Sequence, residues 1–210
     1  MILKKALLLM SALSLTAVII GCQVDNSAFP TEFLQYPVNL TQDKEPQGFQ
    51  KWDWGITPDS AFWSGRSANK SLAAYREKNP QWIIKRKSGV EIFSINLLPP
   101  EYSTAFGTDF NSVHLIFHPE KGLIGWDRII YHRNQNSGES DMDSLHHSLL
   151  GTLTAKYGVP HLLPSRETDA STIISDVALW RTETISLTLT QYSYINNQSK
   201  IYLKAHLHKR

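Results

Sequence analysis

The run Ile185-Ser186-Leu187-Thr188-Leu189-Thr190 alternates strictly between branched apolar and short hydroxyl side chains. Successive side chains of a strand point to opposite faces, so the run predicts an antiparallel sheet with one face on a core and the other facing water. A helix would scatter the same leucines around its axis. The neighbouring runs Asp176 to Arg181 and Lys200 to Leu207 also read as strands, and Asn196-Asn197 supplies a hairpin turn before the last of them.

The segment from Asp141 to Tyr157 has a different period. Met142, Leu145, Leu149, Leu153 and Tyr157 recur at spacings of three and four, the stripe of an amphipathic helix. Asp141 and Asp143 suit its positive end, and Gly158 with Pro160 suits its stop. The first half of the body repeats the order of helix, then strands. Thr57-Pro58-Asp59-Ser60 carries the marks of a helix start that breaks near Gly65, and Ser71 to Lys78 forms a second helical piece before Pro80. Residues 82–87 and 90–95 then flank Ser88-Gly89 as a hairpin, and residues 113–118 and 123–132 flank Pro119 to Gly122 as another. The reading is an α+β fold, with helices packed on one face of an antiparallel sheet. It covers 51–210 as a single globular domain, or as two helix-plus-meander units, 51–132 and 133–210.

Ahead of the body, Lys4-Lys5 precedes an apolar run from Ala6 to Ile20 that is shorter than the roughly 20 residues of a membrane span. Its order is that of a secretory signal. Ile19-Ile20-Gly21-Cys22 ends it with the only cysteine in the chain and resembles the lipobox of bacterial lipoproteins. That resemblance implies a signal peptide over 1–21, cleavage before Cys22 and a lipid on its thiol, so that Cys22 attaches the protein to a membrane. Gln23 in place of the Asp that retains such proteins in the inner membrane implies the outer membrane, periplasm-facing. More than one acyl chain, at about 0.8 kcal/mol per buried methylene, makes a stable anchor. Residues 22–50 then read as a tether, with four of their positions proline or glycine after residue 29: Pro30, Pro37, Pro46 and Gly48. Phe29, Phe33, Leu34, Tyr36, Val38 and Leu40 predict that part of it lies against the body. Within the body, Gly55-Ile56-Thr57 and Lys156-Tyr157-Gly158-Val159-Pro160 resemble the Gly-Met-Thr and Leu-Gly-x-Pro elements of small SmpA/OmlA-type outer-membrane lipoproteins, a resemblance that assigns no functional residue here.

Cleavage after residue 21 removes two lysines and no acid, turning 21 basic and 19 acidic residues into 19 of each. A balanced chain lacks the basic stripe of a nucleic-acid binder. With its one cysteine committed to lipid, the protein has no internal disulfide, thiol nucleophile or cysteine-held metal, and packing alone must stabilise it. Ser67-Ala68-Asn69-Lys70, Lys87-Ser88-Gly89 and Ser94-Ile95-Asn96 match the three short signatures of penicillin-recognising serine enzymes, but their order and their crowding into about thirty residues do not fit that fold. His114 and His118 share one strand face, and His206 and His208 another. They are weak candidate metal ligands if those strands meet, although alternation puts both pairs on the water side. Glu139, Asp141, Asp143, Glu167 and Asp169 lack the pattern of a calcium loop. Trp52 and Trp54 would share a face if extended and, with Trp63, could form a platform for a glycan or partner; the alternative is that they plug the core. The expectation is a lipid-anchored, non-enzymatic binding or scaffolding module with no cofactor. The alternative is an envelope hydrolase or metal-dependent enzyme whose histidines and carboxylates meet only in the fold.

Overall fold

The computed structural model describes residues 31–64, 69–96, 100–131, 139–169, 172–174, 177–194 and 198–208. Residues 1–21, expected as a signal segment, Cys22, Gly65, Ser67 and Asn196-Asn197, expected as a turn, lie outside the described residues.

In chain order, β1 (Phe62–Ser64) and β2 (Asn69–Ser71) form a two-stranded ribbon and run into a short helix, Leu72–Lys78. Ser71 caps that helix, its Oγ accepting from the Ala74 N–H at 3.1 Å. The expected helix at Thr57 is a single turn. Ser60 and Ala61 N–H groups both reach the Thr57 carbonyl, and the chain then extends into β1 because Phe62 and Trp63 favour a strand and Leu72 N–H closes on the Ala61 carbonyl.

Next come β3 (Ile83–Lys85) and β4 (Glu91–Ile95), paired as a hairpin, followed by a helical turn, Pro100–Ser103. The ribbon β5 (Thr104–Ala105) and β6 (Thr108–Asp109) leads into the hairpin of β7 (Ser112–His118) and β8 (Gly122–Tyr131). The long helix Glu139–Tyr157 follows. The stretch after it, which reads as a polar loop, instead forms β9 (His161–Leu163), β10 (Arg166–Asp169) and β11 (Thr172–Ile174). The chain ends with β12 (Val177–Arg181), β13 (Ile185–Tyr194) and β14 (Ser199–Leu207).

Ten of these strands make one antiparallel sheet along the path β10-β11-β13-β14-β8-β7-β4-β3, with β12 also against β13 and β9 against β12. The pairing of β14 with β8, from Lys200 opposite Tyr131 to His206 opposite Gly125, joins the two halves. Met142, Leu149, Leu153 and Tyr157 of the long helix share one buried cluster with Leu187, Leu189, Leu203 and Ala205, and Leu72 of the short helix belongs to it too. Leu40 and Phe49, which precede residue 51, are in the same cluster. Asn39 ties this leading segment down, donating to the carbonyls of Val159 and Leu179 and accepting from Arg181 N–H. Among the described residues no helix is long and apolar enough to cross a membrane.

The alternating run behaves differently from its reading. Ile185, Leu187 and Leu189 face the core, but Ser186, Thr188 and Thr190 on the opposite face are also buried, at 2%, 4% and 5% exposure. Their cross-strand partners on β14 are His206, Lys204 and Tyr202. Residues directly opposite in a sheet have Cβ atoms about 5 Å apart, so these long side chains shelter the short hydroxyls beside them.

Candidate functional site

The first candidate lies on the sheet face away from the long helix. β8 runs between β7 and β14, which sets Asp127 opposite His114 on one side and beside His206 on the other. His206 Nε2 is 2.9 Å from one carboxylate oxygen of Asp127, and His114 Nδ1 is 3.9 Å from the other. The expectation that these two histidines are solvated is corrected: His206 is 8% exposed and His114 is partly buried, because strand neighbours crowd around Asp127. His118 is partly buried, and its Nδ1 accepts from the Glu120 N–H in its own hairpin turn. The four histidines therefore do not meet at one point. Among the described residues no three His, Cys, Asp or Glu side chains are grouped to hold a metal.

Burial alone would raise the Asp127 carboxyl, yet the hydrogen bond from His206 and the nearby Lys204, His206 and His114 charges together hold it below its ordinary value. His114 is lowered by burial against the opposing pull of Asp127. Beyond them, Tyr192 and Tyr202 pack edge to face at 4.9 Å, with Lys204 Nζ 4.8 Å above the Tyr202 ring. Burial, with help from the Tyr194, Tyr192 and Asp127 charges, pushes the Tyr202 phenol up to about 12.

His208, at the end of β14, has a measurable consequence. Burial, then Arg181, then His206 lower it from 6.5 to about 4, and neither ring nitrogen has a hydrogen-bond partner among the described residues. Its imidazole stays neutral in the folded state down to about pH 4, while the unfolded chain takes up a proton below pH 6.5. The His208 contribution to stability is therefore complete above pH 6.5 and is lost as pH falls toward 4. His208→Gln is expected to flatten the decline of the urea midpoint across that window; an unchanged slope would refute the assignment.

The second candidate is a cavity of about 640 Å³ on the helix side of the sheet, open to solvent. Such a volume lies within the roughly 300–1,000 Å³ of small-ligand sites. Its walls come from four places: the leading segment 43–50, the β5–β6 ribbon, the middle of β8 through Trp126 and Arg128, and the C-terminal end of the long helix through Lys156 and Tyr157. Strand alternation turns Trp126 and Arg128 to this side and Asp127 to the other.

Arg128 is the chemical centre of the cavity. Its side chain is 4% exposed, and its one hydrogen bond among the described residues runs from Nη1 to the Tyr102 carbonyl at 2.6 Å. The guanidinium stands 4.6 Å from the Phe49 ring centroid, 5.4 Å from Phe110 and 5.7 Å from Trp126. Desolvation lowers it to about 10, so it keeps its charge at neutral pH.

Two features shape the opening. Gln50 and Phe106 are the non-glycine residues with positive φ among the described residues, at 57° and 55°, and both line the cavity. Such backbone costs of order 1–3 kcal/mol per residue and persists where the surroundings hold it. Phe106 with Gly107 makes the tight turn between β5 and β6, and the Phe106 ring lies under Lys156 Nζ at 5.1 Å. Gly48 closes the other side, where a Cβ would sit 2.1 Å from the Trp52 carbonyl and where its own carbonyl accepts from Trp126 Nε1 at 2.7 Å.

Searches against protein-family models, curated proteins and solved structures find no match to this chain.

The aromatic platform does not form. Trp52 and Trp54 are 2% and 8% exposed, Trp52 stacks near Phe49 and Tyr102, and Trp54 Nε1 donates to the Pro46 carbonyl at 2.7 Å. The leading segment folds back over them, which the local pattern does not encode. Trp63 lies on β1, opposite Lys70. Arg128 had no signal of its own in the sequence, since a single arginine in an apolar strand reads as a surface position. Its enclosure between Trp126, Phe110 and Phe49 depends on segments tens of residues apart.

Proposed function

We propose that this chain is a bacterial lipoprotein held at the outer membrane by lipid on Cys22, facing the periplasm, and that its folded body is a non-enzymatic binding or scaffolding module. The anchoring half rests on Ile19-Ile20-Gly21-Cys22 and the absence of any second cysteine. The binding half rests on one observation, the solvent-open cavity of about 640 Å³ with the buried Arg128 in its wall. In this reading both helices lie against the same face of the sheet, in two helix-plus-meander units. Their shared core cluster supports that arrangement.

Cys22→Ala is expected to abolish fatty-acid labelling and to leave precursor uncleaved, as read by mass spectrometry of the membrane fraction. Labelling that survives the change would remove the anchor. For the binding half, a photoreactive residue is placed at Lys44 or Gln47, both exposed and on the cavity rim, with exposed Glu77 as the remote control. A discrete crosslinked product from the rim alone is expected in living cells; monomer from every position would count against a binding module.

A second reading, an envelope hydrolase or metal-dependent enzyme, draws on the His114, Asp127 and His206 set, whose members come from three strands. Neither imidazole is hydrogen-bonded to a hydroxyl among the described residues, and His206 Nδ1 has no partner there. Bound metal in the purified protein that disappears in Asp127→Asn would favour this reading over the first.

A further inference from the structure

We propose that the Arg128 cavity is a receptor for a small organic carboxylate, a monoanion with a flat or apolar body. This inference rests on the binding-module reading and names the ligand class of that site.

Buried charges in proteins are paired, because an isolated ion loses its hydration without return. Among the described residues Arg128 breaks that rule. No carboxylate lies within salt-bridge distance of it, or of Lys156, among the described residues, and three aromatic rings stand within 6 Å of its guanidinium. A guanidinium carries five N–H donors in a planar fork suited to two parallel bonds with a carboxylate. With one hydrogen bond made to Tyr102, the fork retains donors for a ligand.

The acids at the cavity do not fill this role. Glu45 accepts from the Thr184 hydroxyl at 2.7 Å, and Asp43 is fully exposed at the rim, where the Thr41 hydroxyl is the first cause of its lowered carboxyl. The lining holds three cations, Lys44, Arg128 and Lys156, against these two acids. That balance matches one negative charge and disfavours a dianion, which the rim carboxylates would repel.

The body of the ligand follows from the walls and the volume. Phe49, Phe106, Trp126 and Tyr157 present ring surface, and about 640 Å³ is far more than an inorganic ion fills. The positive-φ backbone at Gln50 and Phe106 belongs to the same rim, with Gln50 Nε2 reaching the Thr104 carbonyl at 3.5 Å. Phe106 takes its positive φ from the two-residue turn, and Gln50 holds the facing edge of the same opening, so both sides of the rim are fixed in shape.

The test uses the full mature lipoprotein in a neutral detergent, titrated with 3-phenylpropionate by calorimetry and by tryptophan fluorescence. The comparison probes are 3-phenylpropanol, 3-phenylpropylamine, phenyl phosphate and acetate. Saturable binding of the carboxylate is expected, with the alcohol weaker by about tenfold or more, as loss of a hydrogen-bonded charge pair implies. Amine and acetate should bind more weakly still. Arg128→Lys should weaken the carboxylate at least about tenfold, since an ammonium cannot reproduce the fork. Lys156→Gln should weaken it roughly two- to fivefold, the scale of an exposed ion pair, with an unchanged melting temperature. Should Arg128→Lys fail to fold, the probe comparison on the unaltered chain and Lys156→Gln decide the matter. Equal binding of acid and alcohol, tighter binding of phenyl phosphate, or no binding would each overturn the proposal. A rim-specific crosslink that persists despite any of these results would leave the binding module standing and remove only the carboxylate.

Discussion

Replacing Trp180 with alanine is expected to cost the folded body about 3–5 kcal/mol, the range for deleting a buried tryptophan. Trp180 is fully buried on β12, packs near Tyr157 with ring centroids 6.4 Å apart, and donates from Nε1 to the Gly158 carbonyl at 2.7 Å. It thereby fastens the C-terminal end of the long helix to the sheet. The chain has no disulfide to offset the loss, because its one cysteine lies at residue 22. At roughly 2–4 °C per kcal/mol for a domain of this size, the melting temperature should fall by about 6–20 °C. Trp180→Phe should fall between the two, keeping most of the apolar area while losing the hydrogen bond. Calorimetric melting of the three proteins checks the order, and a loss below about 1 kcal/mol for the alanine variant would refute the role given to Trp180.

Gly122→Ala is the second large effect. Gly122 opens β8 with φ 67°, and a Cβ there would lie 2.1 Å from the Gly55 carbonyl oxygen and 2.6 Å from that of Ile56. Backbone is what it meets, so no side-chain rotation relieves the overlap. The contact cannot simply open, because Gly55 N–H donates to the Leu123 carbonyl at 3.0 Å and Leu123 N–H to the Ile56 carbonyl at 2.9 Å. The left-handed backbone adds about 1–2 kcal/mol for a residue with a Cβ. We expect the variant to be largely insoluble, or to melt far below the parent. Gly151→Ala is the matched control: it lies in the long helix, meets nothing within 4 Å, and should gain about 1 kcal/mol from helix propensity. Urea unfolding of both variants separates steric overlap from propensity, and a Gly122→Ala protein as stable as the parent would show that the segment around Gly55 is not held against the turn.

The local elements were legible wherever period and punctuation agree. The stripe from Met142 to Tyr157 is a helix with its stop at Gly158, and both hairpins of the first half stand where Ser88-Gly89 and Pro119 to Gly122 place them. The Thr57 motif yields a single turn because a capping pattern reports only a tendency, and the pairing of Phe62 and Trp63 with β2 outweighs it. Strands β9 to β11 were hidden for the complementary reason. They are three or four residues long, too short to show a period, and their conformation comes from neighbours already in place.

The sites belong to a different scale. His114, Asp127 and His206 meet because β14 pairs with β8 across some eighty residues of chain, a register that no local spacing encodes. The pairing of β13 with β14 shelters Ser186, Thr188 and Thr190, so an alternation that predicts a wet face yields a buried one. Trp52 and Trp54 look like a platform until the segment ending at Phe49 is laid over them, and Arg128 looks like a surface charge until Phe49, Phe110 and Trp126 close around it. By itself the sequence determined the periods of helix and strand, the absence of disulfides, and the pattern ending at Cys22, because each is written in adjacent residues. Burial, the meeting of charged groups and the cavity were decided by tertiary structure alone, because each depends on which distant segments share a face.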